Sequence, residues 1–344
     1  MDLPDGFPVA PMLAKAVATV PEGMSYEPKW DGFRAIASVD GDDVVLDSRG
    51  SKPLTRYFPE LVAELTRQLR VPVVLDGEIV VRSPSGAGER LDWEALSQRI
   101  HPAESRIKRL AEETPAAFVA FDLLYLDGRS LLDEPFSVRR AVLEELGSTL
   151  EDPLHITQTT LDADLARRWL AEFEGAGLDG VVAKPLDGLY TPNKRTMIKV
   201  KHARTADVVA LGYRIHKSGT GLGSLLVGLY DAQGELRSVG GVSAFSDRRR
   251  LELVDELAPL VERDEHGDPL TGASDRNRFS TNKDTSFVRL RPERVLEVRY
   301  DQMEGDRFRH TAQFERWRDD RDAASCTFEQ LEVPAAYDLG SVLR

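Results

Sequence analysis

Between Phe33 and Ser48 the chain alternates apolar and polar positions (Phe33, Ala35, Ala37, Val39), breaks at Asp40-Gly41-Asp42 and resumes at Val44. That pattern predicts two strands folded back through a tight turn. A period of two commits one face of each strand to a core, so this stretch demands a sheet. Further strands are expected over Val71–Val81, interrupted by Asp76-Gly77-Glu78, and over Ala117–Leu126, Val181–Lys184 and Met197–Lys201, the last entered through a loop at Asn193–Thr196. Helical spacing appears at Phe58–Arg70, with Leu61, Leu65 and Leu69 on one face, and again at Val138–Leu146 and Leu161–Phe173. Pro84-Ser85-Gly86-Ala87-Gly88 reads as a surface loop.

With 344 residues the chain is long for one growing core and suits two domains. The boundary is expected near Lys201–Asp207, giving domains 1–203 and 204–344. After it come short strands at Ala210–Tyr213, Ser224–Tyr230 and Leu236–Gly240, one helix at Arg248–Leu260, and strands at Ser286–Leu290 and Val295–Tyr300. Strands interrupted by one substantial helix suit a small oligonucleotide-binding barrel. Gly219-Thr220-Gly221-Leu222-Gly223 then reads as a barrel turn rather than a dinucleotide fingerprint. No Gly-x-x-x-x-Gly-Lys-Ser/Thr sequence is present, which argues against a P-loop ATPase.

Composition removes several classes. Hydrophobic residues make up 41% and charged residues 30%, a globular balance that argues against general disorder. Cys326 is the single cysteine, so a disulfide framework and a cysteine-based zinc site are excluded; its ordinary role is a core thiol. The chain has no apolar run of about 18 residues, and its acidic start, MDLPDG, lacks the features of a secretory signal, so a cytoplasmic location without membrane contact is expected. A net charge of -13 disfavours a protein that coats DNA uniformly, and any nucleic-acid contact has to be local. Lys194, Arg195, Lys199, Lys201, His202, Arg204, Arg214 and Lys217 supply such a local cluster; they could follow phosphates without reading bases, or form a salt-bridge network.

The chemistry-bearing residues are scattered. Lys29-Trp30-Asp31-Gly32 places an amine beside a carboxylate and a flexible residue just before a strand. Lysine attacks phosphorus only as the neutral amine, which requires nearby positive charge or desolvation, and Arg34 is a candidate source that could also hold phosphate. Arg49, in Ser48-Arg49-Gly50-Ser51-Lys52, could touch a ribose or a terminal phosphate, or simply be solvated. Glu78 could bind a ribose or support a metal-facing network, or belong to a polar turn. Phe121 is either core or a platform for adenine. Asp179 could reach a magnesium ion, or only shape the turn before Gly180. Lys184, Lys199 and Lys201 could follow a polyphosphate, the last two alternating on one strand face.

Taken in order, these segments resemble the ATP-dependent DNA ligases, in particular the compact actinobacterial ligase C-like group, over nearly the whole chain. Glu27-Pro28-Lys29-Trp30-Asp31-Gly32-Phe33-Arg34 resembles the nucleophile motif, Leu75-Asp76-Gly77-Glu78-Ile79 the ribose-contact motif, and Ala120-Phe121-Asp122-Leu123-Leu124-Tyr125 the adenine-stacking motif. Asp179-Gly180-Val181-Val182-Ala183-Lys184 resembles the metal-assisting motif and Lys199-Val200-Lys201 the late phosphate motif. Phe314-Glu315-Arg316-Trp317-Arg318-Asp319-Asp320-Arg321 is similar to the segment that orients departing pyrophosphate.

The resemblance implies an α+β, two-domain covalent nucleotidyltransferase fold: an adenylation domain of antiparallel sheets and helices followed by an OB-fold β-barrel. It implies Lys29, Asp31, Arg34, Lys199, Lys201, Arg316, Arg318, Asp320 and Arg321 as catalytic residues. ATP contacts would come from Glu27, Lys29, Arg34, Arg49, Glu78, Phe121, Lys184, Lys199 and Lys201, and Mg2+ or Mn2+ would be held by Asp31, Glu78 and Asp179. In sequence, Lys29 would take AMP from ATP, pass it to a DNA 5′-phosphate, and a neighbouring 3′-hydroxyl would displace it. The partners implied are nicked duplex DNA and repair or end-joining proteins, with the chain acting as a monomer. Two departures stand out: Asp179 where the family usually has glutamate, and Arg321 where lysine is common. RNA ligation, cap formation and DNA-end binding without catalysis are the alternatives.

Overall fold

A computed structural model describes residues 9–86, 88–202, 204–273, 286–331 and 335–343. The acidic start and Ala87 lie outside the described residues. The chain forms two compact units: Met1–Lys201 with Pro334–Arg344, and His202–Val333. The first unit therefore ends two residues before the division expected at 203/204. The last residues return to it, whereas the sequence pattern assigned them to the second.

The first unit opens with strands β1 (Leu13–Val17), β2 (Ser25–Pro28), β3 (Phe33–Asp40) and β4 (Asp43–Ser48). Helix α1 (Pro59–Gln68), β5 (Val73–Ser85), β6 (Gly88–Leu91), α2 (Trp93–Gln98), α3 (Glu104–Glu113) and β7 (Ala116–Leu126) follow. The unit continues with β8 (Arg129–Ser130), α4 (Phe136–Gly147), β9 (Leu154–Ile156), α5 (Ala163–Glu172), β10 (Val181–Lys184) and β11 (Arg195–Val200). One sheet has the order β4-β3-β5-β7-β8, with β6 added on β5 and β9 on β7; a second has the order β1-β11-β10-β2. Pairing is antiparallel except for β1 with β11 and β7 with β9.

The alternation at Phe33–Ser48 becomes the β3–β4 hairpin, closed where Asp40 pairs with Asp43 and Gly41 takes a positive φ of 62°. Ala35, Ala37, Val39 and Leu46 are buried against Leu61 and Leu65 of α1 and against Val73, Leu75 and Ile79 of β5. Strand β7 is covered on both faces. Ala116, Phe118 and Ala120 join that core, while Ala117, Val119 and Phe121 join another with Tyr26, Trp30, Trp169 and Val181. Burial on both faces explains why β7 reads as a continuous apolar run.

Two expectations need correction. Asp76-Gly77-Glu78 does not interrupt its strand; β5 runs unbroken through it. Asp-Gly is turn chemistry in isolation, but Gly77 serves a close approach instead: a Cβ there would lie 2.4 Å from the Phe118 ring and 2.7 Å from the Val119 carbonyl. Pro84, Ser85 and Gly88 are not loop residues either, since β5 extends to Ser85 and pairs there with Gly88 of β6.

In the second unit, β12 (Arg204–Ile215), β13 (Leu222–Tyr230) and β14 (Leu236–Val242) precede helix α6 (Asp247–Leu257). The remaining strands are β15 (Thr271–Ala273), β16 (Ser286–Arg289), β17 (Val295–Tyr300), β18 (Met303–Glu304), β19 (Arg307–Phe308) and β20 (Gln313–Trp317). Strand β12 pairs with β13 along one edge; on the other it pairs with β17 over Arg204–Val209 and with β16 at Gly212 and Tyr213. Changing partner partway curls the sheet, and Gly212 permits it, because a Cβ there would meet Phe287 and the Val288 carbonyl at 2.5 Å. Leu253 and Leu257 of α6 close the core together with Cys326, which is fully buried as expected. Gly219, Thr220 and Gly221 lie in the β12–β13 turn, with positive φ at Gly219 and Gly221, and Leu222 and Gly223 open β13. This is the OB-fold barrel, and the whole is the α+β two-domain architecture.

Among the described residues no helix is long and apolar enough to cross a membrane.

Candidate active site

A cavity of about 790 Å3 opens in the first unit. Its walls include Glu27, Lys29, Arg34, Arg49, Glu78, Phe121 and Lys199, side chains drawn from segments up to 172 positions apart.

Lys29 follows directly on β2, which pairs with β10 so that Pro28 faces Val181. The backbone locks it further: the Asp179 amide donates to the Lys29 carbonyl (2.9 Å) and the Lys29 amide to the Gly180 carbonyl (2.8 Å). This zipper sets Lys29 Nζ 2.5 Å from Asp179 Oδ2, and Lys201 Nζ reaches the same oxygen at 2.8 Å. Lys199 lines the cavity nearby. Burial, then the charges of Lys29 and Lys201, push its pKa below the usual lysine range. The β11 strand ends at Val200, so Lys199 lies in the strand and Lys201 just past it, rather than both alternating along one strand face.

Phe121 is aimed by a defect in the sheet. In the β5–β7 register Asp76 faces Asp122 and Gly77 faces Ala120, so Phe121 is the extra residue of a bulge. Its backbone carbonyl accepts a 2.9 Å hydrogen bond from Lys184 Nζ. Arg34 lies 5.2 Å from the ring centroid and Lys184 Nζ 5.0 Å.

Arg34 and Lys184 are each held by a carboxylate. Arg34 is not a loose cation waiting for phosphate: Nε and Nη2 fork onto Asp76 at 2.9 and 2.6 Å, and the Tyr190 hydroxyl donates to the same carboxylate at 2.6 Å. Burial opposes charge on Arg34, but Asp76 outweighs it and holds the guanidinium above its ordinary range. Lys184 does not line the cavity; it is buried and pairs with Glu27 Oε1 at 2.9 Å. Burial is the largest influence on Glu27 and raises its pKa against the pull of Lys184. Glu27 Oε2, also buried, has no hydrogen-bond partner among the described residues.

Glu78 accepts from the Gly32 amide at 3.1 Å, and burial pushes its pKa up to about 7 in spite of Lys29 and Arg34. Arg49 sits in a loop pinned by the Lys52 amide on Ser48 Oγ (2.9 Å) and by a positive φ at Ser51. Asp31 is not among the cavity-lining residues. No group of three or more His, Cys, Asp or Glu side chains suited to a metal occurs among the described residues, so Asp31, Glu78 and Asp179 do not form a ready-made cage. Magnesium commonly takes one or two carboxylates and completes its shell with water and substrate phosphates. Glu78 lines the cavity, whereas Asp179, like Asp31, does not and is held by Lys29 and Lys201.

The late basic segment lies in the second unit and is paired with carboxylates there. Arg318 Nη1 bridges both oxygens of Asp207 at 3.0 Å, while its Nε and Nη2 hold Asp320 at 2.8 and 2.9 Å. Arg321 Nε lies 3.5 Å from Asp207, and Arg316 pairs with Glu297 at 2.7 Å. The hydrogen bonds from Arg318 are the main reason the Asp320 pKa falls to about 2. Of the basic cluster, Lys194, Arg195, Lys199 and Lys201 fall in the first unit, and His202, Arg204, Arg214 and Lys217 in the second.

Sequence reasoning missed the scaffolding behind the cavity. Arg139 and Asp122 form a fully buried bidentate pair at 2.7 and 2.9 Å, and Tyr190 ties Asp76 to the Met12 amide. A carboxylate inside the apolar β7 run was the available signal for the first; a lone tyrosine in a loop gave none for the second.

A lysine, an aromatic ring, cations and buried carboxylates around one cavity, with an OB-fold barrel following, define a covalent nucleotidyltransferase. Residues 11–201 match the ATP dependent DNA ligase domain and residues 218–321 the ATP dependent DNA ligase C terminal region. DNA ligase C1 of Mycolicibacterium smegmatis is 56% identical over 353 aligned residues, covering 100% of this chain and 99% of that one. DNA ligase C of Mycobacterium tuberculosis is 52% identical over 358, with the same coverage. A solved Lig E DNA ligase structure shares the fold at 18% identity, with a TM-score of 0.57 and coverage of 90% of this chain and 99% of that one. The chain belongs to the ATP-dependent DNA ligases, in the ligase C group, and ATP is its adenylate donor.

Proposed function

We propose that this ligase seals 5′-phosphate/3′-hydroxyl nicks in duplex DNA through a phosphoramide between Lys29 Nζ and AMP, and that it serves DNA repair. One observation carries the assignment of the nucleophile: Lys29 stands on the cavity wall, paired to Asp179, whose same carboxylate oxygen also holds Lys201. In the first step the ion pair opens, the Lys29 ammonium loses its proton to solvent, and the lone pair of the neutral amine forms the N–P bond to the α-phosphate while the bond to pyrophosphate breaks and pyrophosphate leaves. Lys199 and Arg49 offset the charge on the phosphate oxygens. AMP then moves to the DNA 5′-phosphate, and attack by the 3′-hydroxyl closes the strand and releases AMP.

Base recognition follows from the same wall. Phe121 offers a face for adenine, and the unpartnered Glu27 Oε2 suits the exocyclic amine of that base. Glu78, on the same wall, is assigned to the ribose. Asp179 and Glu78 would hold Mg2+ or Mn2+, which neutralises phosphate charge when bound. Arg316, Arg318, Asp320 and Arg321 are assigned to the departing pyrophosphate. That role requires Arg318 to exchange one of its carboxylate partners for phosphate.

A paired assay tests the reading. With labelled ATP and a divalent metal, the wild-type protein acquires AMP and seals nicked duplex, whereas Lys29→Ala does neither. Adduct formation without sealing would redirect the substrate to RNA or a cap; DNA binding with no adduct under any metal would leave a scaffold.

A further inference from the structure

The Asp179 carboxylate follows a short turn against which the C-terminal segment packs. Phe173–Ala176 forms a single 3-10 turn; it closes at Gly177, whose φ of 88° reverses the chain, and Asp179 follows two residues later. Gly175 in this turn is covered by the returning C-terminal segment so closely that a Cβ would lie 1.8 Å from the Ala335 carbonyl and 2.8 Å from the Tyr337 amide. The Tyr337 ring packs 5.1 Å from Phe173, itself stacked on Trp169 at 5.5 Å. Leu339 and Val342 are fully buried in the cluster that holds Ala176 and Leu178.

The far side of the turn is held as well. Asp338 accepts from the Glu89 amide at 3.0 Å, anchoring the segment to β6, and Leu91 of β6 packs against Gly177. Nothing in this clamp lines the cavity, yet Ala335, Tyr337 and Leu91 meet Phe173, Gly175 and Gly177 of the turn that leads into the Asp179–Lys29 zipper. The chain reaches the clamp only after passing through the second unit.

We propose that the C-terminal segment, through Tyr337, Leu339 and Val342, is a positioning element for Asp179, setting the reach of that carboxylate to Lys29. This rests on the proposed pairing of Lys29 and Asp179 in adenylylation. The test uses the full chain and measures single-turnover transfer of labelled AMP, with the melting temperature, for Gly175→Ala, Asp179→Asn and the double variant. Gly175→Ala displaces the segment without altering the cavity. It is expected to slow transfer about tenfold or more, the scale for misplacing a reacting group by a fraction of an ångström to one ångström. The double variant should be no slower than Asp179→Asn alone, because both changes act through one carboxylate.

Losses that multiply in the double variant, or a wild-type rate for Gly175→Ala, overturn the proposal. Should Gly175→Ala fail to fold, Tyr337→Ala replaces it, with Tyr337→Phe expected to restore the wild-type rate; equal loss in both tyrosine variants overturns the proposal too. Lys29→Ala separates the two readings. An adduct surviving that substitution removes Lys29 as nucleophile, whereas loss of the adduct there with an unaffected Gly175→Ala removes only the role of the C-terminal segment. A wild-type rate for Asp179→Asn overturns the role of the carboxylate and of the segment together.

Discussion

Glu78→Gln isolates the electrostatic cost that the cavity imposes on its own carboxylates. Glu78 faces Arg34 across the β3–β5 pair and accepts from the Gly32 amide, but burial dominates and lifts its pKa from 4.5 to about 7. A folded-state value above the unfolded one means that the native protein binds this proton more tightly. The stability linked to it is complete below the unfolded pKa and is lost as pH rises through about 7. A shift of that size corresponds to about 3 kcal/mol at about 1.4 kcal/mol per unit, a ceiling because the carboxylate borders the water of the cavity.

Glutamine keeps the shape and does not titrate. The stability of Glu78→Gln relative to wild type is therefore expected to improve by up to about 2 to 3 kcal/mol between about pH 5 and pH 8. Urea unfolding followed by tryptophan fluorescence reads this directly, since Trp30, Trp93 and Trp169 belong to the first unit and only Trp317 to the second. A gap that is constant with pH, or one that opens in favour of wild type at high pH, would refute the burial argument.

Phe121→Ala should raise the KM for ATP in adenylylation about tenfold, the equivalent of about 1.4 kcal/mol of lost stacking; an unchanged KM would remove Phe121 as the base platform. Arg139→Met strands Asp122 in the core and should cost about 3 to 5 kcal/mol in urea unfolding, so a loss below about 1 kcal/mol would contradict the account of that pair. Arg318→Ala should slow adenylylation while leaving the sealing of a pre-adenylated nick nearly intact. Equal losses in both steps would separate Arg318 from the departing pyrophosphate.

What could be read from the sequence was local and periodic. The β3–β4 hairpin, α1 and the barrel helix each carry a repeat of two or an apolar spacing of three to four, and β7 an apolar run, over enough residues to show. Strands β1 and β2, of five and four residues, are too short for that and owe their extended form to partners far along the chain. Individual site residues were visible as types, but not their pairings. Lys29 meets Asp179 across 150 positions, and Lys184 ends an apolar strand exactly as a phosphate-facing lysine would, until Glu27 is found beneath it. Asp76 looked like turn chemistry because its partner, Arg34, lies on another strand. The return of Leu339 and Val342 to the first unit leaves no periodic trace at all.

Peptide mapping by mass spectrometry, after incubation with ATP and Mg2+ and without DNA, examines the nucleophile itself. The account predicts one AMP per chain, acid-labile and confined to the peptide that carries Lys29, and none on Lys29→Ala. AMP found on Lys199 or Lys201, or retained by Lys29→Ala, would contradict it.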